Sequence, residues 1–571
     1  MKLVLQYIRK HLGIFLLSMF FLSIEAMADL LQPTFMAHIV DDGVKSADFQ
    51  QILRYGAIML GIAAAGAVGA VMRNLFASRT SQTIARELRS DMYRKVQTLS
   101  LENIDRLQPS SIITRITNDV TQIQEFINGM MRIMVKAPIT CVGAIILIVV
   151  QTPRQIPMMV VILAIAGILI AANMKIGYPR FGKLQKALDR LNNVSREFLS
   201  SIRVVKAFNA EKQEGEKFEE ASQNLAGAGV SAMQVMAVFS PLINLTVNMG
   251  IVVLLWLSQN QDSAEIGRLM ASVNYMTQVL FALGMVTNIL NTAVRAMASS
   301  SRISEILEEQ PAQKTAENPL ETEMNGGIVF NDVSFAYAGA GREALQNISF
   351  AVESGETIGI IGPTGSGKST LVNLVPRFYD ATEGQVLLGG VDVTLMDPGK
   401  LRRAVAVVPQ KALLFSGTIG ENMRWGNERA EQPEIEHAAE IACADGFIHA
   451  SEKGYDTLLG QGGVNLSGGQ KQRLALARAL VCNPRILILD DCTSALDAET
   501  EATVLAGLRR QLAGVTVLLI SQRISTVMQT DRILCLENGK VQGFGTHAEL
   551  MAACSTYRAI YQSQIGGDTN G

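Results

Sequence analysis

Six apolar runs of spanning length, at 13–36, 55–77, 127–150, 158–177, 230–257 and 269–293, fill most of the first half of the chain. A helix needs about 20 mainly apolar residues to cross the hydrocarbon core of a bilayer, so these runs predict six membrane-spanning helices. Composition agrees: of 571 residues, 48% are hydrophobic and only 18% charged, against about 25% charged in soluble domains. The length exceeds one ordinary core, so a soluble domain is expected beside the spans. A net charge of −2 supplies no basic field for nucleic acid. The six cysteines, Cys141, Cys443, Cys482, Cys492, Cys535 and Cys554, show neither a CxxC pair nor metal spacing, and read as reduced thiols. The first run has no small-residue cleavage site behind it and reads as a retained span rather than a signal peptide.

The third and fourth runs are separated only by QTPRQIP, a tight hairpin. Long charged, amphipathic stretches join the second to the third (78–126) and the fourth to the fifth (178–229). One carries Arg79, Arg86, Arg89, Arg94, Lys95, Arg106 and Arg115; the other carries Arg180, Lys183, Lys186, Arg190, Arg196, Arg203 and Lys206. The opposite loops, DDGVKSADFQQ and SQNQDSAEIGR, are poorer in bases. Basic residues near span ends stay in the cytosol, so both stretches and both termini are expected there. The helices must then run well beyond the bilayer.

Polar residues inside spans are costly in lipid. Glu25 and Asp29 sit four apart, on one face of the first helix. They read either as the lining of a substrate cavity for cationic or amphipathic cargo, or as partners in interhelical hydrogen bonds. Asn274, Asn288 and Asn291 on the sixth span read as helix-to-helix glue. From 299 to 325 the chain turns polar and carries Pro311 and Pro319, and the following GIVFNDVSFAY alternates as a strand does. The expected division is a transmembrane domain over 1–310, a linker over 311–325 and a second domain over 326–571.

ETIGIIGPTGSGKST reads as a buried strand, a glycine-rich turn and a helix start. Residues 362–369 match GxxxxGK[ST] in that strand–loop–helix context. Gly362, Gly365 and Gly367, with Thr364, Ser366 and Thr370 around them, let backbone N–H groups close on phosphate oxygens, and the helix start favours negative charge. Lys368 is placed to reach the β/γ-phosphates and Ser369 to bind Mg2+. ILILD, at 486–490, supplies an acid-bearing strand with Asp490 on the magnesium side. Leu466, Ser467, Gly468, Gly469 and Gln470 (LSGGQ) open a further helix. A hydroxyl and bare backbone at a helix start suit a γ-phosphate, and because the P-loop already serves its own nucleotide, this second edge reads as the lid of another chain's site.

With these motifs the chain resembles the ABC transporters, of the exporter type in which six spans are fused to one nucleotide-binding domain. The resemblance covers nearly the whole sequence and implies a fold class: an α-helical six-span transmembrane domain followed by an α/β P-loop nucleotide-binding domain of ABC type. It implies ATP and Mg2+ as cofactors and a translocase ATPase activity. It places Tyr337 as the aromatic that stacks on adenine. Gln410, in VVPQKALLFSGTIGEN, becomes the residue joining magnesium and the attacking water to the membrane domain. Ser494, Ala495, Leu496 and Asp497 (SALD) become the loop crossing a dimer interface. It also implies coupling helices near 109–114 and 208–214 that dock on nucleotide-binding domains.

The pattern breaks at one place. Active sites of the family end the acidic strand in Asp-Glu and a later strand in a His that holds the γ-phosphate, and the two nucleotide-binding domains close head to tail over ATP. Here the pair is Asp490–Asp491, Gln522 holds the His position, and no histidine lies between His449 and His547. Asp is one methylene shorter than Glu, and a displacement near 1 Å can cost about 10²-fold in rate. A glutamine amide carries neither a proton nor a positive charge. LSGGQ is unaltered, whereas Gln461 stands where the family has Glu. The chain therefore resembles the subunit with the degenerate site in heterodimeric bacterial exporters, multidrug exporters among them. Expected partners are a second, non-identical half-transporter, the lipid bilayer and a small amphipathic substrate; expected location is the bacterial cytoplasmic membrane, multi-pass. The alternatives are a homodimeric lipid or drug exporter with slow hydrolysis and an ATP-gated regulatory protein.

Overall fold

The computed structural model describes residues 1–151, 153, 156–257, 266–314, 316, 318–320 and 325–565, apart from the side chains of 158, 159, 240, 247, 254, 255, 257, 283, 284 and 286–291. Contacts divide it into two compact units: residues 1–95 with 112–308, and residues 96–111 with 309–571.

The first unit is helical. Its main helices are α1 (Lys2–Lys10), α2 (Leu12–His38), α3 (Phe49–Thr98), α6 (Val120–Gly129), α7 (Lys136–Gln151), α8 (Ile156–Ser200), α9 (Ile202–Ala207), α10 (Glu211–Leu257) and α11 (Ile266–Glu308); α4 (Leu101–Leu107) belongs to the second unit, and α5 (Pro109–Thr114) is divided between the two. Among the described residues, five helical stretches are long and apolar enough to cross a membrane: Leu12–Val44, Phe49–Thr98, Pro109–Gln151, Val160–Ser200 and Glu211–Val253. The expected sixth span lies within α11, where Asn288 and Asn291 fall outside the described side chains. Asn274 bonds back to the Met270 carbonyl of its own helix at 3.1 Å. The helices α3, α8 and α10 have 50, 45 and 47 residues. At about 1.5 Å per residue each is roughly 70 Å long, twice the hydrocarbon thickness of about 30 Å, so the extension expected from the charged connections is present.

Small residues set the close approaches. A Cβ at Gly69 would meet the Phe21 carbonyl at 3.1 Å, and one at Gly250 would meet Ile162 at 2.3 Å. The α8 and α10 helices pack along one another, while α11 packs on α2, α6 and α7. Asp119, buried on the first long connection, is held by Arg302 Nε at 2.7 Å and Ser299 Oγ at 2.9 Å.

In the second unit, α4 starts at a capping box between Ser100 and Asn103 and ends at Gln108, whose φ is +61°. Asn103 Nδ2 donates to Gln310 O at 2.9 Å, and Tyr379 Oη donates to Asp105 Oδ2 at 2.6 Å. The segment of the first connection that groups with this unit, residues 96–111, thus holds α4, about two turns ahead of the expected 109–114, and the first half of that expected segment. A six-stranded sheet runs β12-β11-β3-β10-β9-β6, with strands β3 (Thr357–Ile361), β6 (Val405–Val408), β9 (Ile486–Asp490), β10 (Thr516–Ile520), β11 (Arg532–Glu537) and β12 (Lys540–Gly545). All pairs are parallel except β11–β12. The β3, β9 and β10 strands are buried on both faces, the usual state of a parallel sheet. A four-stranded antiparallel sheet, β2-β1-β4-β5, comprises β1 (Ile328–Phe335), β2 (Leu345–Val352), β4 (Glu383–Leu388) and β5 (Val391–Asp392). A two-stranded pair joins β7 (Gly417–Thr418) and β8 (Leu458–Leu459). Helices of the unit include α12 (Lys368–Leu374), α13 (Pro398–Ala404), α14 (Ile419–Arg424), α15 (Gln432–Ile441), α16 (Asp445–His449), α17 (Gly468–Val481), α18 (Ala498–Gln511), α19 (Ile524–Val527), α20 (His547–Ala553) and α21 (Ser555–Ile565).

Candidate active site at the carboxyl ends of the parallel strands

Parallel strands present their carboxyl ends at one edge of the sheet, where open α/β folds place their ligands. β3 runs into the glycine-rich turn, β9 into Asp490 and Asp491, and β10 into Ser521 and Gln522. Register fixes them side by side: Ile520 pairs with Ile360 on one flank and with Asp490 on the other. A cavity of about 580 Å³ opens there, lined by Tyr337, Thr364, Gly365, Gly367, Lys368, Ser369, Thr370, Gln410, Asp490, Asp491 and Gln522, among others.

The turn requires its glycines. A Cβ at Gly362 would sit 2.0 Å from the Leu536 carbonyl, and Gly367, at φ +99°, would place one 2.9 Å from the Ala344 carbonyl. Ser366 is buried beneath the turn. Lys368 Nζ donates to the carbonyls of Gly362 at 2.9 Å and Pro363 at 2.8 Å. Burial lowers its pKa, and Asp491 and Asp490 partly offset this. Ser369 Oγ donates to Asp490 Oδ1 at 3.0 Å. Burial raises the Asp490 pKa, against that hydrogen bond, and the neighbouring Asp491 adds to the rise. A hydroxyl and a carboxylate are the hard oxygen donors that magnesium takes, usually with phosphate and water completing the shell. The pair fits the ion. The Gln410 amide nitrogen is turned elsewhere.

Asp491 takes that nitrogen. Its Oδ2 accepts from Gln410 Nε2 and from Gln522 Nε2, both at 3.0 Å. The residue is 5% exposed and stands at φ +47°, a left-handed conformation that Asp tolerates better than most residues. Gln472, on the helix α17 that LSGGQ opens, donates to the Gln410 carbonyl. Tyr337 Oη lies 3.1 Å from Thr370 Oγ1, and its ring stands edge-on to Phe335 and Tyr379.

LSGGQ lies away from this cavity: among the described residues lining it, none comes from 466–470. Ser467 and Gln470 form a reciprocal cap at the start of α17. Gly469 instead backs onto the following loop, where a Cβ would meet Ala495 O at 3.2 Å and Leu496 at 3.4 Å. Ser494 and Ala495 are exposed, Leu496 is buried, and Asp497 caps α18 by accepting from Thr500 N at 2.9 Å. That bond lowers the Asp497 pKa.

Two further residues attach to the segment after β10 and carry no motif. Gln564, on the last helix α21, accepts from Ile524 N at 2.8 Å and donates to Gln522 O at 2.7 Å. Glu501, on α18, is buried against Thr493, Arg523 and Thr526. An acid on a helix and a glutamine near a terminus look like solvated surface in sequence.

Within the first unit, both readings of Glu25 and Asp29 meet a definite geometry. Glu25 is 9% exposed and accepts from Arg73 Nε and Lys136 Nζ, each at 2.6 Å, and Lys136 also pairs with Asp29 Oδ2 at 2.8 Å. Two acids on α2 are matched by one base on α3 and one on α7, the pattern of interhelical pairing.

Residues 15–283 match the family profile "ABC transporter transmembrane region" and residues 345–494 match "ABC transporter". The chain is 38% identical over 545 residues to the ABC transporter ATP-binding protein YfiB of Bacillus subtilis (strain 168), covering 95% of each. It is 32% identical over 576 residues to an ATP-dependent lipid A-core flippase of Aromatoleum aromaticum, covering 98% of this chain and 96% of that protein. A solved structure of a bacterial Atm1-family ABC exporter with ATP bound superposes with a TM-score of 0.77 at 26% identity, over 98% of this chain and 99% of that one. With spans and a P-loop domain on one polypeptide, and relatives matched almost end to end, the chain belongs to the ABC transporters, as a half-transporter of the type IV exporter class that hydrolyses ATP to drive transport.

Proposed function

We propose that this exporter subunit holds ATP at its own P-loop mainly as a bound ligand, and that its LSGGQ segment completes the hydrolytic site of a non-identical second half-transporter. One observation carries the reading: the carboxylate at the base position is short, buried and held by two glutamine amides. A general base must come within hydrogen-bond reach of the water it activates. Asp491 has its proximal acceptor oxygen occupied twice, and neither Gln410 nor Gln522 can take a proton from it. The binding parts are complete by contrast. Lys368 and the turn would hold the phosphates, Tyr337 the adenine, and Ser369 with Asp490 the magnesium. Magnesium, when bound, neutralises the β- and γ-oxygens during phosphoryl transfer.

In this reading residues 1–310 translocate, 311–325 link and 326–571 bind nucleotide, in a bacterial cytoplasmic membrane with the nucleotide side in the cytosol. Ser494–Asp497 cross to the partner, as do the exposed apolar residues Val204 on α9 and Phe208 at its end, 56% and 79% accessible. The cargo is amphipathic, a drug or a lipid. The paired charges on α2, α3 and α7 leave no net charge to select a cation, and several relatives are named as lipid A-core flippases.

The test is ATPase activity of the purified chain alone and with its partner. Asp491→Ala should change turnover of the pair by less than about twofold, because positioning of the attacking water, the larger part of phosphoryl-transfer catalysis, is absent here already. A loss as deep as that from removing the partner's own base would make Asp491 the working base. Robust activity of the chain alone, abolished by Lys368→Ala, would replace the heterodimer with a homodimer.

A further inference from the structure

We infer that Glu501 is a positioning residue that binds the loop after β9 to the switch segment after β10, so that the two shift together. Glu501 lies in the first turn of α18, where an acid is ordinarily solvated, yet it is 5% exposed. Burying a carboxylate costs several kcal/mol unless it is paired and hydrogen-bonded. Here both loops supply the partners. Thr493 Oγ1 donates to Oε1 at 2.8 Å from the loop after β9, and Thr526 Oγ1, on the short helix α19 of the segment after β10, donates to the same oxygen at 2.9 Å. Arg523, from the second loop, closes on Oε2. Thr493 and Thr526 are themselves 2% and 5% exposed.

The sequence positions give the clamp its meaning. Thr493 sits between Asp491 and the exposed Ser494, and Arg523 follows Gln522. At the front, facing the nucleotide cavity, Gln522 reaches Asp491 at 3.0 Å. Glu501 joins the same two segments from behind and does not line that cavity. The front bond uses the amide that would meet a γ-phosphate, so nucleotide can break it. The rear clamp uses groups no nucleotide reaches, so it persists. A displacement of Gln522 is then carried through Arg523 and Thr526 to Glu501, and through Thr493 to residues 494–497. This rests on the reading above of Gln522 as the γ-phosphate residue and of 494–497 as the crossing loop.

The experiment uses the purified transporter with its partner. Glu501→Gln keeps an oxygen for the two hydroxyls and removes the charge that faces Arg523. We expect kcat for ATP to fall at least fivefold with KM within twofold and the apparent Tm within a few degrees. A purely structural carboxylate would lower Tm and leave kcat of the folded fraction intact, and that result overturns the inference. Thr493→Val and Thr526→Val give an independent arm with little change of shape. If one linkage runs through both, each lowers kcat about threefold and the double variant does no worse, a non-additivity that marks coupled residues. Multiplying effects, about ninefold in the double variant, also overturn it. The crossing-loop reading fails separately: a benzophenone label on Ala495→Cys, in a background without other exposed thiols, would then give no cross-link to the partner chain.

Discussion

At position 491 one methylene separates a carboxylate that reaches a water from one that meets two amides. If chain length and the neighbouring glutamine are what limit hydrolysis here, restoring both should restore it. With the partner's site blocked, Asp491→Glu combined with Gln522→His is expected to raise single-turnover hydrolysis of labelled ATP at least about tenfold, since misplacement near 1 Å costs of that order or more. Asp491→Glu alone should gain less, because an amide at 522 still cannot support the γ-phosphate as an imidazole does. No gain from the double variant would place the defect elsewhere. Asp490 makes a different point. Its pKa is raised by burial, so the folded protein holds that proton more tightly than the unfolded chain. Stability contributed by the group is therefore present at low pH and falls as pH rises through the carboxylate range. Asp490→Asn should raise the nucleotide-free apparent Tm by about 2 °C at pH 7, given roughly 2–4 °C per kcal/mol in domains of this size. The difference should shrink towards pH 4, and magnesium-dependent ATP binding should be lost in the same variant. An unchanged Tm gap across that range would show that the gap does not arise from ionisation of Asp490.

Among elements, the helices that cross the membrane and the strands that feed the phosphate turn were both legible, for reasons that lie within short windows. About 20 apolar residues, or an apolar strand running into GPTGSGKS, need no distant partner to be recognised. What lay outside such windows was not legible. The α4 helix begins about two turns before the expected coupling segment because Ser100 and Asn103 cap each other, a pairing without the usual Glu or Gln at the third position. Glu501 looks like any helix acid until Arg523 and Thr526 arrive from another loop. Glu25 and Asp29 could be given a shared face but not their partners, since Arg73 and Lys136 are 48 and 111 residues away from Glu25. That pairing carries its own prediction. Removing one member strands a buried charge, at a cost of about 3–5 kcal/mol. Glu25→Ala should sharply reduce the folded yield and thermal stability of the transporter, and Glu25→Leu with Arg73→Met should recover most of both. If Glu25→Ala instead leaves stability intact and abolishes only transport, the acid serves the cargo and not the helix packing.

For the whole transporter, the proposed pairing of a weakened acceptor site with an intact donor segment makes an asymmetric demand on its assembly. The two functions can be struck separately because they sit on different parts of the domain. Gly468 offers a clean handle on the donor part. Among the described residues a Cβ there meets only Ala495 Cβ, at 3.9 Å, an ordinary van der Waals contact. Its φ is not among the positive values, so a side chain is tolerated without backbone strain. Gly468→Asp should therefore fold normally while setting a negative charge where a partner's γ-phosphate would lie. ATPase of the assembled pair is expected to fall at least about a hundredfold, since like charge replaces donors in a water-poor site. Asp491→Asn, at the chain's own site, should change the same activity less than about twofold. The ratio of the two effects, measured in one preparation with expression and Tm matched, is the informative quantity. If Asp491→Asn is the damaging change and Gly468→Asp the mild one, ATP is hydrolysed within the chain's own site and the division of labour between two different chains falls with it.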